Sequence, residues 1–425
     1  MAKTVIAAPP AQESSRTTRA GAAGMLAKVP RPTFCVLITV PSLDAGAADE
    51  DAMQLARTLT DSGHRAIVVS GGGRIERDVA ACGAETIRLN MASRNPVNIA
   101  LNAFILRSLI ERHRCAVVHA LARGPAWSAL AAARLAGVPL VTTWYNAFRD
   151  QNVFKHLYNS GMARGERVIA MSDQIAETIT ERYAVTPERI VVAPPRVDVA
   201  RFDPAYVTSH RVQAMRAAWG VKPDTRVILV VGRILRRKGH HVIVRAAHRL
   251  KEVGLRDFLF VLVGDDQGRS SYSGELWDLV LATDTSDVIR IPGPPTDAPA
   301  AYSAAVAVVA ASVQLEGPQR SLLEAMAMAR PVIASDLAAG PETVLAPPAV
   351  AEDRMTGVRF ASGNDAELAA ALIKLLSITE AARRAIGWRG REHVAARYSG
   401  AAAIAKVLAV YAEVARLERL LADKA

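Results

Sequence analysis

The sequence predicts an α/β protein built from two doubly wound domains that face each other across a cleft. Short runs with strong β propensity alternate with helical runs in both halves of the 425-residue chain, an alternation typical of βαβ units and parallel sheets. The predicted strands are almost entirely apolar, as expected where helices cover both faces of a sheet. The length independently allows two or three domains.

The first half of the chain is predicted to form a Rossmann-like domain at 33–200. Its strands are predicted at 34–40, 64–70, 115–120, 138–144, 167–172 and 189–195. Its helices are predicted at 51–63, 75–83, 127–137 and 173–182. Residues 1–32 are rich in Ala, Pro, Ser and Arg and lack an apolar segment, so we expect a disordered tail there.

The second half repeats the alternation and is predicted to form a second such domain at 201–400. Its strands are predicted at 226–232, 258–264, 288–293, 306–312 and 331–335, and its helices at 240–254 and 321–329. The segment 196–210 joins the two halves and is interpreted as a hinge. An amphipathic helix is predicted at 401–423.

Composition narrows the class of protein. The formal net charge is +11, and counts over the tail and the two halves indicate that the excess is spread out, without a long basic block. No basic stripe is interleaved with aromatic residues, so nucleic acid is not an expected partner. Contact with anionic phospholipid headgroups is at least as good a match for this charge. Three cysteines without metal-ligand spacing, and no apolar window of about 18–20 residues, favour a cytoplasmic protein without a membrane span.

A cluster of cations follows one predicted strand of the second half. The segment GRILRRKG (232–239) carries Arg233, Arg236, Arg237 and Lys238 just before a helix. A helix N-terminus favours anions, Arg can hold a phosphate with two hydrogen bonds, and Lys adds a point charge. The order GxxxxGK[ST] is missing, so this is not a P-loop. We expect a diphosphate to bind here.

Two carboxylates follow a later strand. Glu316 and Glu324 stand eight residues apart, and they would share one face of a helix if that helix began early. Glu324 lies in the otherwise apolar run LLEAMAM, where a charge needs a partner. Carboxylates suit sugar hydroxyls, so a site that combines them with the cations suits a nucleotide-sugar.

With these motifs the chain resembles the family 4 glycosyltransferases of the GT-B fold over residues 33–415. Within that family it resembles the sugar transferases of the Gram-negative cell envelope, including lipopolysaccharide synthesis. The likeness extends to ERVIAMSDQIAETITERYAV (166–185), APPRVDVARFDP (193–204) and VGDDQGR (263–269). It implies a retaining transfer of a hexose-type sugar from a UDP- or GDP-linked donor to a glycan or lipid-linked acceptor, with no metal and no cofactor beyond the nucleotide-sugar.

The resemblance also assigns roles to single residues. It implies that Arg233 and Lys238 hold the donor diphosphate, that Glu316 holds the donor sugar and that Glu324 holds the ribose. Tyr145 occupies the active-site histidine position of the family and is assigned to catalysis together with Glu316. The remaining donor contacts are assigned to Gly46, Gly264, Ser321 and Leu322. The N-terminal domain would take the acceptor, the C-terminal domain would take the donor, and the last helix, at 401–425, would cross back to the N-terminal domain.

Three departures from the family pattern leave a second interpretation open. Tyr145 replaces the histidine, the glycine loop reads LDAGAADED (43–51) with three added acids, and Pro318-Gln319 replaces Phe-Gly. A catalytically degenerate relative that binds a nucleotide or a partner protein is therefore the alternative. We favour an active but slow or unusually selective enzyme, because Arg233 and Lys238 are retained.

Three weaker candidates have structural explanations. Asp265 and Asp266 are expected to form a turn rather than a metal site. His119 ends a predicted strand and is expected to be a hydrogen-bonded core histidine. Trp127 and Trp144, with Tyr145, could form a platform for an acceptor sugar, with core packing as the alternative for Trp127.

Overall fold

The computed structural model describes residues 33–44, 46–146, 148, 152–266, 268, 270–316 and 319–422. Phe34–Ala425 forms one compact unit. The tail predicted at 1–32 lies outside the described residues.

The first sheet has seven parallel strands over the described ranges. Its spatial order is β3-β2-β1-β4-β5-β6-β7. The strands are β1 (Cys35–Thr39), β2 (Arg65–Ser70), β3 (Glu85–Arg88), β4 (Cys115–Ala120), β5 (Leu140–Trp144), β6 (Arg167–Ala170) and β7 (Ile190–Val192). The order reverses between β1 and β4, and such a switch point opens a crevice at the carboxyl ends of the strands.

The second sheet has six parallel strands in the same described part of the chain. Its spatial order is β10-β9-β8-β11-β12-β13, so its switch point lies between β8 and β11. The strands are β8 (Arg226–Val231), β9 (Phe258–Val263), β10 (Ile289–Arg290), β11 (Ala307–Ala310), β12 (Val332–Ser335) and β13 (Gly357–Phe360). The predicted α/β fold with two doubly wound sheets is confirmed.

Helices connect the strands and cover the sheets. They are α1 (Ala47–Asp61), α2 (Glu76–Ala81), α3 (Pro96–His113), α4 (Arg123–Ala136), α5 (Val153–Ser160), α6 (Asp173–Tyr183), α7 (Ser209–Ala218), α8 (His240–Glu252), α9 (Ser270–Ala282), α10 (Ala298–Ser303), α11 (Arg320–Ala327), α12 (Asp365–Ser377), α13 (Glu380–Arg397) and α14 (Gly400–Ala422). Several begin where the sequence supplies a cap: the Asn95 side chain accepts the N–H of Val97 at 2.9 Å, with Pro96 as the first helical residue of α3. Within the described ranges, none of these helices combines the length and apolar character of a membrane-spanning segment.

The last helix completes the core of the first sheet. Val407, Val410, Tyr411 and Val414 of α14 are buried in the same apolar cluster as strands β1 and β6. The Tyr411 hydroxyl lies 2.6 Å from Nδ1 of His119, whose Nε2 lies 2.7 Å from the Thr143 hydroxyl.

His119 is the buried, hydrogen-bonded core histidine that the sequence predicts. Burial lowers its pKa from 6.5 to about 3, so the ring is neutral and adds no charge to the cleft.

Candidate functional site

A cavity of about 290 Å³ lies between the two sheets at the carboxyl ends of their strands. Segments that follow β1, β5 and β6 line one side, and segments that follow β8 and β11 line the other. Its charged lining consists of Glu50, Asp51, Arg233, Arg237, Lys238, Glu316, Arg320 and Glu324. Crevices of this kind are where open α/β sheets bind their ligands.

The segment 232–239 is positioned by its final glycine. Gly239 has φ +72°, and a Cβ atom there would lie 1.8 Å from the carbonyl oxygen of Ala311. Only glycine permits both this left-handed conformation and this close approach. The turn at Arg236–Lys238 is therefore held against the end of β11, where Lys238 lines the cavity.

Gly264 supports the same segment from the neighbouring strand. It directly follows β9, and a Cβ atom there would lie 2.0 Å from the carbonyl oxygen of Gly232. It is not among the described residues that line the cavity. Its contribution is to let the ends of two strands approach each other.

Lys238 is partly buried among charged side chains. Its Nζ donates to the Glu316 carboxylate at 2.5 Å and to Oε1 of Gln319 at 3.0 Å. Burial, followed by the guanidinium groups of Arg237 and Arg233, lowers the pKa of Lys238 from 10.5 to about 7. The Glu316 carboxylate acts in the opposite direction, so this ion pair favours the protonated amine.

Glu316 is the common partner of the cations. It accepts hydrogen bonds from Lys238, from Arg237 and, at 3.3 Å, from the Ser312 hydroxyl. The condition for Glu316 and Glu324 to share one helix face is not met, because α11 begins only after Glu316. Both carboxylates nevertheless line the same cavity.

Glu324 lies on α11 and is held by a tyrosine. The Tyr302 hydroxyl donates to its carboxylate at 2.8 Å. Burial raises the pKa of Glu324, while the Tyr302 hydrogen bond and the positive charge of Arg320 oppose that shift. Ser321 also lines the cavity, whereas the Leu322 side chain is fully buried in the core.

The three acids that follow Gly46 each have a partner. Asp49 caps α1: its Oδ2 accepts the Gly46 N–H at 2.9 Å, the Asp44 N–H at 3.1 Å and the Ser42 hydroxyl at 3.3 Å. Gly46 lines the cavity, but its N–H is already used within the loop.

Glu50 connects the two halves of the molecule. Its carboxylate forms an ion pair with Arg320, the first residue of α11. Burial lowers the pKa of Arg320, and the Arg320 Nε has no hydrogen-bond partner among the described residues. This ion pair spans the cleft beside the cavity.

Asp51 organises a buried polar network. The Tyr145 hydroxyl donates to it at 2.7 Å, and Arg196 lies 3.3 Å from its other carboxylate oxygen. Burial, reinforced by the Asp51 charge, raises the pKa of Tyr145 well above its usual range of about 10. Tyr145 is therefore a neutral hydroxyl whose proton points to Asp51. The added acids of the loop are compensated charges, and Pro318 lies outside the described residues.

A second cavity of about 690 Å³ adjoins the first. Tyr145 and Arg233 line both cavities. Arg74 and Arg123 add positive charge to the second one, where the Arg123 guanidinium lies 4.4 Å from the centroid of the Phe148 ring. This cavity can accept a second, polar molecule next to the first.

The two tryptophans do not form a platform beside this cavity. Trp144 is fully buried and donates its indole N–H to the Met162 carbonyl at 3.0 Å. Trp127 donates to the Tyr158 carbonyl at 2.9 Å. Their aromatic rings pack the core of the first half, and Tyr145 alone of the three lines the cavities.

The paired acids at the end of β9 form a turn. Asp266 accepts the Gly268 N–H at 3.0 Å and the Ser273 hydroxyl at 2.9 Å. Within the described ranges, His, Cys, Asp and Glu side chains form no group of three or more that could hold a metal ion.

Five site residues escape motif reasoning. Glu50, Asp51, Arg196, Tyr302 and Arg320 are placed by contacts between distant segments. The signal that the sequence does offer is the run of three acids after Gly46, which requires cationic or N–H partners wherever it is buried.

Comparison with known proteins gives matches in both halves. Residues 52–201 match the family model described as Glycosyltransferase Family 4. Residues 225–377 match the model described as Glycosyl transferases group 1. The D-inositol 3-phosphate glycosyltransferase of Actinosynnema mirum is 34% identical over 223 residues, which is 50% of this chain and 50% of that protein. The chain therefore spans about half the length of the curated relatives it matches.

Solved structures share the fold over almost their whole length. A glycosyltransferase from Rickettsia africae ESF-5 superposes with a TM-score of 0.80 and 27% identity, covering 90% of this chain and 99% of that one. Anabaena Alr3699/HepE, in complex with UDP and glucose, has a TM-score of 0.76 and 17% identity, covering 89% and 99%; at that identity the likeness concerns the fold alone. Each half therefore matches a glycosyltransferase model, and the two sheets have the arrangement of the GT-B glycosyltransferase structures.

Proposed function

We propose that the protein transfers a sugar from a nucleotide-sugar donor to an acceptor bound beside it, with retention at the anomeric carbon. One observation carries the proposal: Lys238 and Arg237 converge on Glu316 in the cavity that also contains Glu324. Cations that can hold a diphosphate and carboxylates that can accept hydrogen bonds from sugar hydroxyls therefore line the same cavity.

Donor binding would exchange the partners of the cations. In the structure, Glu316 forms ion pairs with Lys238 and Arg237. An incoming diphosphate, UDP- or GDP-linked, brings negative charge that replaces Glu316 as their partner. The released carboxylate can then accept a hydrogen bond from a hydroxyl of the donor sugar, and Glu324 can accept from the ribose.

The transfer itself would depend on charge stabilisation. As the glycosidic bond to the diphosphate breaks, negative charge develops on the leaving group. Arg233, Arg237 and Lys238 line the partly buried cavity, where preorganised cations stabilise such charge. Such stabilisation needs no cofactor beyond the nucleotide-sugar, and it favours an active enzyme over a degenerate one.

Tyr145 would act as a neutral wall of the donor site. Its proton is directed to Asp51, so the lone pairs of its hydroxyl oxygen are what it can offer to a sugar hydroxyl. The tyrosine ring is larger than the histidine ring that the family has at this position, so it leaves less space for the donor sugar. We infer from this a selective enzyme rather than an inactive one.

The acceptor would occupy the second cavity, next to Tyr145 and Arg233. We propose a glycan or lipid-linked acceptor in cell-envelope synthesis, on the cytoplasmic side of the membrane. The charged lining of the second cavity consists of three arginines and three aspartates, which suits an acceptor rich in hydrogen-bonding groups: Arg74, Arg123, Arg233, Asp44, Asp49 and Asp265. Because the curated relatives are named for D-inositol 3-phosphate, a phosphorylated polyol is the second acceptor class to test.

The test is a panel of UDP- and GDP-linked sugars, with binding followed by calorimetry and hydrolysis or transfer followed by chromatography. We expect one nucleotide-sugar to bind and to lose its sugar, and Arg233→Ala to weaken binding roughly ten- to a hundredfold. Arg236→Ala is the matched control, because Arg236 comes from the same segment but pairs with the exposed Glu275. Binding without any transfer or hydrolysis would favour the nucleotide-binding alternative. Equal affinities for wild type and Arg233→Ala would remove the diphosphate assignment.

A further inference from the structure

Helix α3 is apolar on two opposite sides. One side is buried against the first sheet and α4 through Ala103, Leu106 and Ile110. At about 100° per residue, the opposite side carries a continuous stripe. Its four residues are each 44% to 64% exposed: Val97, Leu101, Phe104 and Ile105.

Helix α5 adds a second exposed apolar group. Val153, Phe154 and Leu157 are 53% to 82% exposed. The segment that contains α5 packs on α4 through the hydrogen bond from Trp127 to the Tyr158 carbonyl, and α4 packs on α3. The seven side chains on α3 and α5, here called the α3–α5 surface, therefore belong to two helices that both pack on α4.

Positive charge accompanies this surface. Residues 89–166 contain nine Arg or Lys and three Asp or Glu, which gives +6 of the total +11. The flanking parts of the first half, 33–88 and 167–200, contain nine basic and thirteen acidic residues, which gives −4. Within the first half, the positive excess therefore lies in residues 89–166.

Most of these basic side chains reach solvent. Of the three acids, Glu111 pairs with Arg107 at 2.7 Å, and Glu166 accepts the Leu140 N–H at 2.6 Å. The exposed basic residues of the segment are Arg94, Arg112, Arg114, Arg134, Lys155 and Arg164.

We propose that the α3–α5 surface docks on an anionic phospholipid bilayer. Exposed apolar side chains that can enter the headgroup region, combined with basic residues around them, are the two signals that hold a protein at a membrane surface. A second copy of the chain is a poor occupant, since the exposed basic side chains of the two copies would repel each other.

Docking would also orient the cleft. The amino ends of α3 and α5 follow the carboxyl ends of β3 and β5, the edge of the first sheet at which both cavities open. A membrane in contact with these helices would lie near the opening of the second cavity. If the proposed function is correct, a lipid-linked acceptor could reach that cavity without leaving the bilayer.

The test is flotation of the full chain with vesicles of phosphatidylcholine, with or without about 30% phosphatidylglycerol, at about 0.1 M salt. We expect binding to the anionic vesicles only. Leu101→Ser/Phe104→Ser and Val153→Ser/Phe154→Ser should each lower the partition coefficient at least roughly tenfold. Arg94→Gln and Arg112→Gln should each lower it roughly fivefold.

The matched control is Trp277→Ser/Leu281→Ser. These residues are 43% and 68% exposed and stand at the same i, i+4 spacing on α9, in the second half. We expect wild-type vesicle binding from this control. Unchanged nucleotide binding and thermal unfolding in every variant would show that the fold is intact.

Two results would overturn the proposal. One is equal binding of wild type and the α3 and α5 variants to anionic vesicles. The other is a dimer in solution that these variants dissociate, since the surface would then cover a second copy. Vesicle binding does not require sugar transfer, so a protein that binds vesicles but transfers no sugar would contradict the proposed function and leave this inference standing.

Discussion

Replacing Glu316 by Gln should strengthen the binding of a free nucleoside diphosphate. The Glu316 carboxylate accepts from Lys238 at 2.5 Å and from Arg237, and a diphosphate that binds these cations would displace it. Hydrogen bonds to charged groups contribute about 1.5–3 kcal/mol, so the competing interaction is a substantial part of the binding free energy.

The expected gain is smaller than that full value. Both cations retain some exposure to water, and the amide oxygen introduced by Glu316→Gln could still accept one hydrogen bond. We therefore expect a gain of about 1 kcal/mol, or roughly fivefold tighter binding. The nucleotide-sugar should not share this gain, because its sugar loses the Glu316 carboxylate, and its affinity relative to the free nucleotide should fall about tenfold.

The measurement is calorimetric titration of wild type and Glu316→Gln with UDP, GDP and the preferred nucleotide-sugar, at a pH of about 6.5 so that Lys238 is mostly protonated. Glu275→Gln is the control: it frees the neighbouring Arg236, which does not line the described cavity, and should change neither affinity. Free nucleotide that binds Glu316→Gln no more tightly than wild type would show that Lys238 and Arg237 do not hold the diphosphate.

Three further outcomes are expected. The pKa of Lys238 is lowered to about 7, and a bound diphosphate favours the charged amine, so nucleotide-sugar binding should take up a proton and weaken above that pH. Lys238→Arg should flatten this pH dependence. Calorimetric titrations in buffers of different ionisation enthalpy measure the proton uptake. Asp51→Ala leaves the buried Arg196 guanidinium without its carboxylate and should lower the free energy of unfolding by about 3–5 kcal/mol in denaturant titrations, whereas a change below about 1 kcal/mol would contradict the network. Tyr145→Phe should lower the free energy of unfolding by about 1 kcal/mol and change turnover less than about tenfold. Tyr145→His should preserve or raise turnover. A complete loss of transfer in Tyr145→Phe would mean that the hydroxyl contacts the reacting sugar.

The parts of the site that lie in contiguous motifs could be predicted from the sequence. Arg233 and Lys238 stand in a strand–turn–helix segment, and Glu324 stands in an apolar helix where its charge requires a partner. Local spacing and burial are sufficient to single out such residues. Glu50 and Arg320 could not be found in this way, because they are 270 positions apart and meet only when both halves are folded.

The fold, like the site, has parts that could be predicted from the sequence and parts that could not. Apolar alternation predicts the central strands of both sheets, since these are buried on both faces. It fails for α3, because apolar residues on two opposite sides of a helix cancel the periodicity that identifies it. The helix predicted at 321–329 begins at Arg320, so Glu316 precedes it and does not share a helix face with Glu324.

The position of α14 has a consequence for how the protein is made. His119 and its partner Tyr411 are 292 positions apart, so at about 5–20 residues per second the ribosome needs roughly 15–60 s to supply the tyrosine after the histidine. During that interval the second half can fold while the apolar core of the first half still lacks α14. The earliest-made part of the chain is thus the last to be finished, and a premature stop before α14 would damage the half that had been translated first.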